Sequence, residues 1–354
     1  MDKINFAIVG CGRIGTRHAE HINRLAHLHS VCDIDANALE KIKQLYPHVR
    51  VYQSIDKMLA DDKESQVINI CTPNGLHAEH TVKALRANRH VVCEKPMALT
   101  VRDAEQMIEE AHQAKKHLFI VKQNRFNPPV QKVKEVLDKG LLGDIYSAQI
   151  NCFWNRNVRY YNDSRWKGTK DLDGGILFTQ FSHFIDILLW FLGDVDYSTI
   201  NAFSENFSHK DTIEFEDTLV AIFKFHSGTL ATINCTINSY EKNMEGSITL
   251  FGEKGTVKIG GQYLNVLEYQ NIENYQIEDI REHRPANDYG YYQGSMSNHD
   301  KVIENVLDVL KNNGKVAVNG YEGLKTVEII EHIYENLQFA SPGLRTLNEN
   351  ISVL

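Results

Sequence analysis

The sequence predicts two domains: an N-terminal α/β domain with a Rossmann-type, doubly wound parallel sheet, then an α+β domain on an open, mainly antiparallel sheet packed by helices. Three observations carry this reading. Up to Val121, short apolar runs alternate with helix-period segments, as in successive β-α units. A G-x-G-x-x-G turn, Gly10-Cys11-Gly12-Arg13-Ile14-Gly15, joins the first apolar run to the first helical segment. Beyond Pro128-Pro129, strand-like runs follow one another through glycine turns. A chain of 354 residues is also long for one compact core. The expected domains are 1–123 for cofactor and 124–354 for substrate and oligomerisation, with the closing helices allowed to pack back on the first.

Composition narrows the partners. Hydrophobic content of 42% and charged content of 24% are ordinary for a globular protein. A net charge of −8 argues against nucleic acid or an anionic membrane as the main partner. The six cysteines form no CxxC pair, and most sit at the ends of apolar runs, as small buried hydrophobes do. A disulfide framework or Cys-rich zinc site is not expected, and a reducing compartment fits. With no signal-peptide pattern and no apolar run long enough for a bilayer, the expected location is cytoplasmic.

Phe6-Ala7-Ile8-Val9 reads as the first strand and 14–26 as the first helix. Between them, Gly10 allows a tight turn, Gly12 lets the backbone approach a pyrophosphate, and Gly15 lets helix and strand pack closely. The helix start offers unpaired N–H groups to the phosphates. A second strand ends in Asp33-Ile34-Asp35, and Asp33 lies 18 residues beyond Gly15, where a ribose-binding acid is expected. Its carboxylate favours NAD over NADP; Arg13 is a contrary sign, since an arginine near the ribose pairs well with a 2′-phosphate.

The alternation continues through strands at 49–52, 67–71, 90–93 and 118–121, with Ser54 and Thr100 as helix N-caps. Thr72-Pro73-Asn74 with His77 closes one strand, and Glu94-Lys95-Pro96 closes the next. Ligands of an open α/β sheet lie at such carboxyl ends, so both turns are placed beside the nicotinamide. A lysine at the edge of an apolar core needs a reason to be there, because burying it unpaired is costly. Lys95 is therefore the expected chemical centre. For His77 a surface position at a helix start weighs equally. His18/His21 and His77/His80 are HxxH pairs without a third strong ligand in the sequence, so no metal is expected.

Lys122-Gln123-Asn124-Arg125-Phe126-Asn127-Pro128-Pro129 reads as a domain hinge. A helix at 130–142 precedes strands at 145–153, 217–225, 229–237, 247–251 and 256–259, and helices at 299–310 and 321–338 close the chain. An open sheet face rich in Ile, Phe and Tyr suits an oligomer interface. The segment 154–168 interleaves Arg156, Arg159, Arg165 and Lys167 with Trp154, Tyr160, Tyr161 and Trp166. Arginines fork onto phosphate or carboxylate and rings stack on bases or sugars, so this stretch suggests an anionic substrate larger than a free sugar. Next, a helix at 175–190 places Thr179, His183 and Asp186 on nearby faces, and such a histidine can serve as general base on an alcohol.

Together GCGRIG, CTPNGLHAEH, CEKPMALT, WKGTKDLDGG leading to HFID, and the late YEGLKTVEIIEHIYEN resemble the glucose–fructose oxidoreductase/inositol dehydrogenase (Gfo/Idh/MocA) family over nearly the whole chain. KQNRFNP and KGTKDLDGGILFTQFSHFID look most like its UDP-N-acetyl-2-amino-2-deoxyglucuronate (UDP-GlcNAcA) 3-dehydrogenases. The resemblance implies NAD-dependent oxidation of a sugar C3′ hydroxyl for surface polysaccharides, a tightly held NAD recycled by a 2-oxo acid such as 2-oxoglutarate, and a tetramer. It makes Lys95 and His183 the catalytic residues, either of them the base. Many relatives carry aspartate where this chain has Thr179, which puts an Asp-His relay in doubt.

The expected cofactor residues are Gly10, Gly12, Arg13, Ile14, Gly15, Asp33, Ile34, Thr72, Pro73, Asn74, His77, Glu94, Lys95, Gln123, Asn124 and Trp166. The expected substrate residues are Lys95, Arg125, Asn127, Arg156, Arg159, Tyr160, Arg165, Thr179, Gln180 and His183. Rival readings are a polyol dehydrogenase acting on a substrate such as inositol, and a non-catalytic NAD-sensing protein.

Overall fold

The computed structural model describes residues 3–278, 280, 286–288, 290 and 293–337. Strands β1 (Asn5–Val9), β2 (His27–Cys32), β3 (Arg50–Tyr52), β4 (Val67–Ile70), β5 (His90–Cys93) and β6 (Leu118–Ile120) form one parallel sheet in the order β3-β2-β1-β4-β5-β6. Helices α1 (Arg13–Leu25), α2 (Ala36–Leu45), α3 (Ile55–Asp61), α4 (His77–Arg86) and α5 (Val101–Ala114) make the crossovers. The strand order reverses between β1 and β4, so their carboxyl ends splay and leave a crevice.

Local pattern explains the helices. On α5, Ala104, Met107, Ile108 and Ala111 recur at helical spacing and are buried, and Thr100 accepts the Asp103 N–H as N-cap. Full burial of side chains such as Ile or Met contributes about 1.5–3 kcal/mol each. On α1 the buried face carries Gly15, Ala19 and Ile22, but also His18 and His21. The partners that His18 finds there bear on the site below.

The segment expected as a hinge is a buried joint. Gln123–Phe126 form a short 3₁₀ turn, and Pro128 and Pro129 begin α6 (Pro128–Asp138), where a missing N–H costs nothing. The second domain continues through β7 (Ile145–Phe153), α7 (Val158–Asn162), α8 (Ser182–Leu192), β8 (Val195–Glu205), β9 (Thr218–Phe225), β10 (Leu230–Thr236), β11 (Glu245–Gly252), β12 (Gly255–Gly260) and β13 (Val266–Ile272). These seven strands form one sheet in the order β13-β12-β11-β7-β10-β9-β8. It is mixed, because β7 and β10 pair in parallel while the other pairs are antiparallel. β8 and β13 were not anticipated; both are polar-alternating edge strands without a long apolar run.

A ribbon, β14 (Ala286–Asp288) with β15 (Gln293–Met296), leads to α9 (His299–Asn312) and α10 (Gly320–Glu335). α9 returns to the first domain, where Val302, Ile303 and Val306 join Ile22 and Leu28 in one core. α10 starts with a reciprocal capping box of Asn319 and Glu322, and packs against α5, α8 and β8, welding the two domains. Among the described residues no helix is long and apolar enough to cross a membrane, and all six cysteines are free and buried.

Candidate active site

A cleft of about 820 Å³ opens at the carboxyl ends of β1 and β4 and runs between the domains. Its first wall is the glycine turn. Gly10 has φ +96°, and a Cβ there would meet the Cys71 carbonyl oxygen at 2.5 Å. A Cβ on Gly15 would lie 1.9 Å from the Gly10 oxygen, so Gly15 serves the helix–turn packing and does not line the cleft. Gly12 opens to the cleft, and as N-cap of α1 it supplies no side-chain cap, which leaves the first-turn N–H groups for an anion. Asp33 follows β2, its carboxylate fixed by the Cys11 N–H at 2.6 Å and the Asp35 N–H at 2.8 Å. Ile34 is 91% exposed yet lines the cleft, an apolar surface for a flat base. Open glycine amides, a fixed acid at ribose distance and an apolar flank fit a dinucleotide.

The ends of β4 and β5 form the floor. His77 is buried, which corrects the surface alternative: its ring nitrogens lie 2.7 Å from the Pro96 carbonyl and 2.8 Å from the Thr72 carbonyl. Burial lowers its pKa against the opposing pull of the two carbonyls, and the ring bridges the two strand-end turns. Asn74 donates to the Asp173 carbonyl at 2.8 Å and to the Thr179 hydroxyl at 2.7 Å, linking the cofactor half to the second domain. The Lys95–Pro96 peptide is cis. Lys95 Nζ donates to the Thr179 carbonyl at 2.7 Å. Burial pushes its pKa down to about 8 against the opposing pull of Glu94.

The opposite wall comes from the second domain. Leu177–Phe181 is a π-helical turn running into α8, a widened geometry frequent at functional sites. Thr179, Gln180 and His183 face the cleft from it. The His183 Nδ1 is buried with no hydrogen-bond partner among the described residues, and burial together with the Lys95 charge holds its pKa well below the ordinary histidine value. The imidazole is therefore neutral near pH 7. Asp186 does not share the cleft. Its carboxylate takes Arg125 Nε and Nη2 at 2.8 and 2.9 Å, with Lys122 Nζ at 3.4 Å.

The segment after β7 contributes Trp154, Arg156, Tyr160, Arg165, Trp166 and Lys167 to the cleft. The Arg156 guanidinium is held by the Asn155 carbonyl at 2.6 Å and Asn243 at 3.1 Å, between the faces of Trp154 and Tyr160. Lys167 Nζ sits 3.6 Å from the Tyr160 ring centroid. Arg165 is exposed at the cleft, with no ion-pair partner among the described residues.

Four expected ligands lie elsewhere. Arg125 lies outside the cleft wall, its guanidinium committed to Asp186 and, at 2.6 Å, to Glu322. Asn127 is buried against the Tyr263 and Leu264 carbonyls at 2.9 and 3.2 Å. Asn124 is buried in the domain joint, outside the cleft wall. Arg159 pairs with Asp163 at 3.7 Å on the outer side of α7. All the other expected residues except Gly15 line the cleft.

Two groups went unread in the sequence. Asp173 is fully buried beneath Thr179, whose hydroxyl donates to its carboxylate, and it accepts the Gly168 N–H at 2.7 Å. Burial raises its pKa to about 6. Its carboxylate reaches the cleft only through the Thr179 hydroxyl. His299 also lines the cleft, and with His18 it brackets Glu94. His299 carried no signal except being a histidine at a helix start.

Residues 4–122 match an oxidoreductase family with an NAD-binding Rossmann fold, and residues 130–258 match the GFO/IDH/MocA C-terminal domain. The WlbA dehydrogenase of Chromobacterium violaceum, solved in complex with NADH and UDP-GlcNAcA, is similar at a TM-score of 0.86 and 35% identity, over 95% of this chain and 94% of that one. WlbA of Bordetella pertussis, solved with the same two ligands, gives 0.83 and 34% over 94% and 96%. The myo-inositol 2-dehydrogenase of Thermotoga maritima is 26% identical over 272 residues, 72% of this chain and 74% of the relative.

Proposed function

The chain belongs to the Gfo/Idh/MocA oxidoreductase family, and on that premise we propose that it oxidises the C3′ hydroxyl of UDP-GlcNAcA, or a close UDP-linked uronate, to a ketone with NAD. The observation that carries this reading is the cationic, aromatic wall of Arg156, Arg165 and Lys167 beside Lys95 and His183. A uronate and a diphosphate bring anionic groups that such a wall recognises, each charge-assisted bond contributing about 1.5–3 kcal/mol. The two WlbA structures, solved with this sugar nucleotide at 34–35% identity over almost the full chain, support it.

NAD, when bound, supplies the hydride acceptor. Lys95 takes the proton of the sugar hydroxyl, because an amine with a pKa of about 8 is poised near the working pH, where acid–base catalysis is most effective. His183, neutral, orients the hydroxyl through a hydrogen bond. Thr179 holds the Lys95 amine by its carbonyl, and Asp173 holds Thr179. The same cleft is proposed to admit a 2-oxo acid such as 2-oxoglutarate in the return half-reaction. Apolar side chains on the open sheet face, among them Phe203, Ile222, Leu230 and Tyr269, support a homo-oligomer of the tetrameric kind.

The second reading, a polyol or glucoside dehydrogenase, is favoured by the inositol-oxidising relative and by the Escherichia coli D-glucoside 3-dehydrogenase, 30% identical over 244 residues, 64% of this chain and 68% of the relative. The two part on one experiment. The purified protein is incubated with UDP-hexoses, UDP-uronates, inositols and glucosides, with and without 2-oxoglutarate, and products are weighed by mass spectrometry. Loss of two hydrogens from a UDP-uronate is expected; turnover of only uncharged polyols or glucosides would overturn the substrate assignment.

A further inference from the structure

A buried polar chain lies behind the Lys95 turn. Asn69, on β4, places Nδ2 2.7 Å from His18 Nδ1, and His18 Nε2 lies 2.8 Å from Glu94 Oε1. His299, the first residue of α9, brings Nε2 to 3.4 Å from the same oxygen. Neither ring nitrogen of His299 makes a hydrogen bond among the described residues, so Nε2 meets the carboxylate at ion-pair distance only. The other carboxylate oxygen accepts the Lys95 main-chain N–H at 3.1 Å. Asn69, His18, Glu94 and His299 are all at most 6% exposed.

We propose that His18 and His299 are positioning residues: they hold the Glu94 carboxylate as an anion behind the turn that carries Lys95, and so fix the charge that governs the Lys95 amine. The proposal rests on Lys95 being the proton acceptor. An unpaired carboxylate in this interior would be strongly disfavoured; the His18 hydrogen bond and a backbone N–H meet its lone pairs, and the His299 ring nitrogen faces it at 3.4 Å. Asn69 donating to Nδ1 leaves His18 with its proton on Nε2, aimed at Glu94. Burial opposes ionisation of Glu94, but the His18 and His299 contacts outweigh it and leave its pKa well below the carboxylate range. The charged groups that act on Lys95 are Glu94 and Asp173, which favour the ammonium, and Lys122 and Arg156, which oppose it. Glu94 is the strongest of these. α9 belongs to the segment that returns from the second domain, so formation of the chain requires that return.

The same three ligand atoms lie within 4.8 Å of one another, a spacing a metal ion can use. The His18–Glu94 distance of 2.8 Å is that of a hydrogen bond and shorter than the roughly 3.3 Å between neighbouring ligands of tetrahedral zinc.

Trace labelling of Lys95 with acetic anhydride across pH, read by peptide mass spectrometry, reports its titration without substrate. Glu94→Gln is expected to lower the labelling midpoint by about one unit, a tenfold gain in reactivity at a fixed pH below it. His18→Phe with His299→Phe is expected to move it in the same direction, with NADH fluorescence and thermal melting reporting the fold. If that double variant does not fold, Glu94→Gln and the single His299→Phe still decide. An unchanged midpoint in Glu94→Gln would overturn the proposal, as would one equivalent of zinc in the purified protein. Failure of every UDP-sugar as substrate would leave the labelling result standing and sink only the substrate reading.

Discussion

Lys95 Nζ and the Thr179 carbonyl oxygen lie 2.7 Å apart. The end of β5 is thereby tied to the π-turn that precedes His183, and the Lys95 amine is positioned by both domains at once.

Replacing that amine tests the centre of the mechanism. Lys95→Met is expected to lower kcat at least about 100-fold, ~2.7 kcal/mol in the barrier, while NADH still binds. Single-turnover kinetics and NADH fluorescence separate the two. Turnover within about tenfold of the parent would remove Lys95 from the chemistry.

The pH profile follows from burial. The Lys95 pKa is pushed down to about 8, and with the neutral amine as the proposed base, kcat/KM is expected to rise with pH and level off above about 8. His183 is held neutral well below this window, so it adds no second limb between pH 7 and 9. A profile flat through pH 8 would exclude Lys95 as base.

Asp173→Asn keeps the shape of the group but offers N–H to a pocket that supplies two donors, the Gly168 N–H and the Thr179 hydroxyl. A loss of about 1–3 kcal/mol is expected in urea unfolding, with kcat lowered about tenfold as the π-turn loosens. Stability and rate both unchanged would show that Asp173 does not support Thr179.

Arg125→Ala separates a structural arginine from a substrate ligand. It leaves Asp186 buried with Lys122 as its remaining cation, and a loss of about 3 kcal/mol is expected in urea unfolding. KM for the sugar nucleotide should stay within about twofold in the folded fraction. A raised KM with normal stability would return Arg125 to the substrate list.

Arg165→Ala is the converse. A tenfold or greater rise in the UDP-uronate KM is expected, about 1.4 kcal/mol or more, with the NAD KM and stability unchanged. An unaltered KM would take Arg165 out of the anion wall.

What the sequence determined by itself was what period and turn residues write in local order. The glycine turn, Asp33 at its distance, the strand ending in Glu94-Lys95-Pro96 and His183 on its helix each depend on a short stretch whose period and turn residues are visible without the fold. Tertiary structure decided the partners. Arg125 looked like an anion ligand because guanidinium chemistry is the same on a phosphate as on a carboxylate; only packing brought it Asp186 and, 197 residues away, Glu322. The domain joint read as a hinge because a double proline breaks one pattern equally well by opening a loop or by starting a helix. Asp173 lies only six residues before Thr179 but is turned beneath it by the π-helical turn, and His18 and His299 around Glu94 come from segments up to hundreds of residues apart. Such pairs leave no periodicity in the chain, because they exist only where burial removes water and makes each polar group find another. Lys95 was legible as a charge in need of a reason, and the packing of two domains around it supplied the reason.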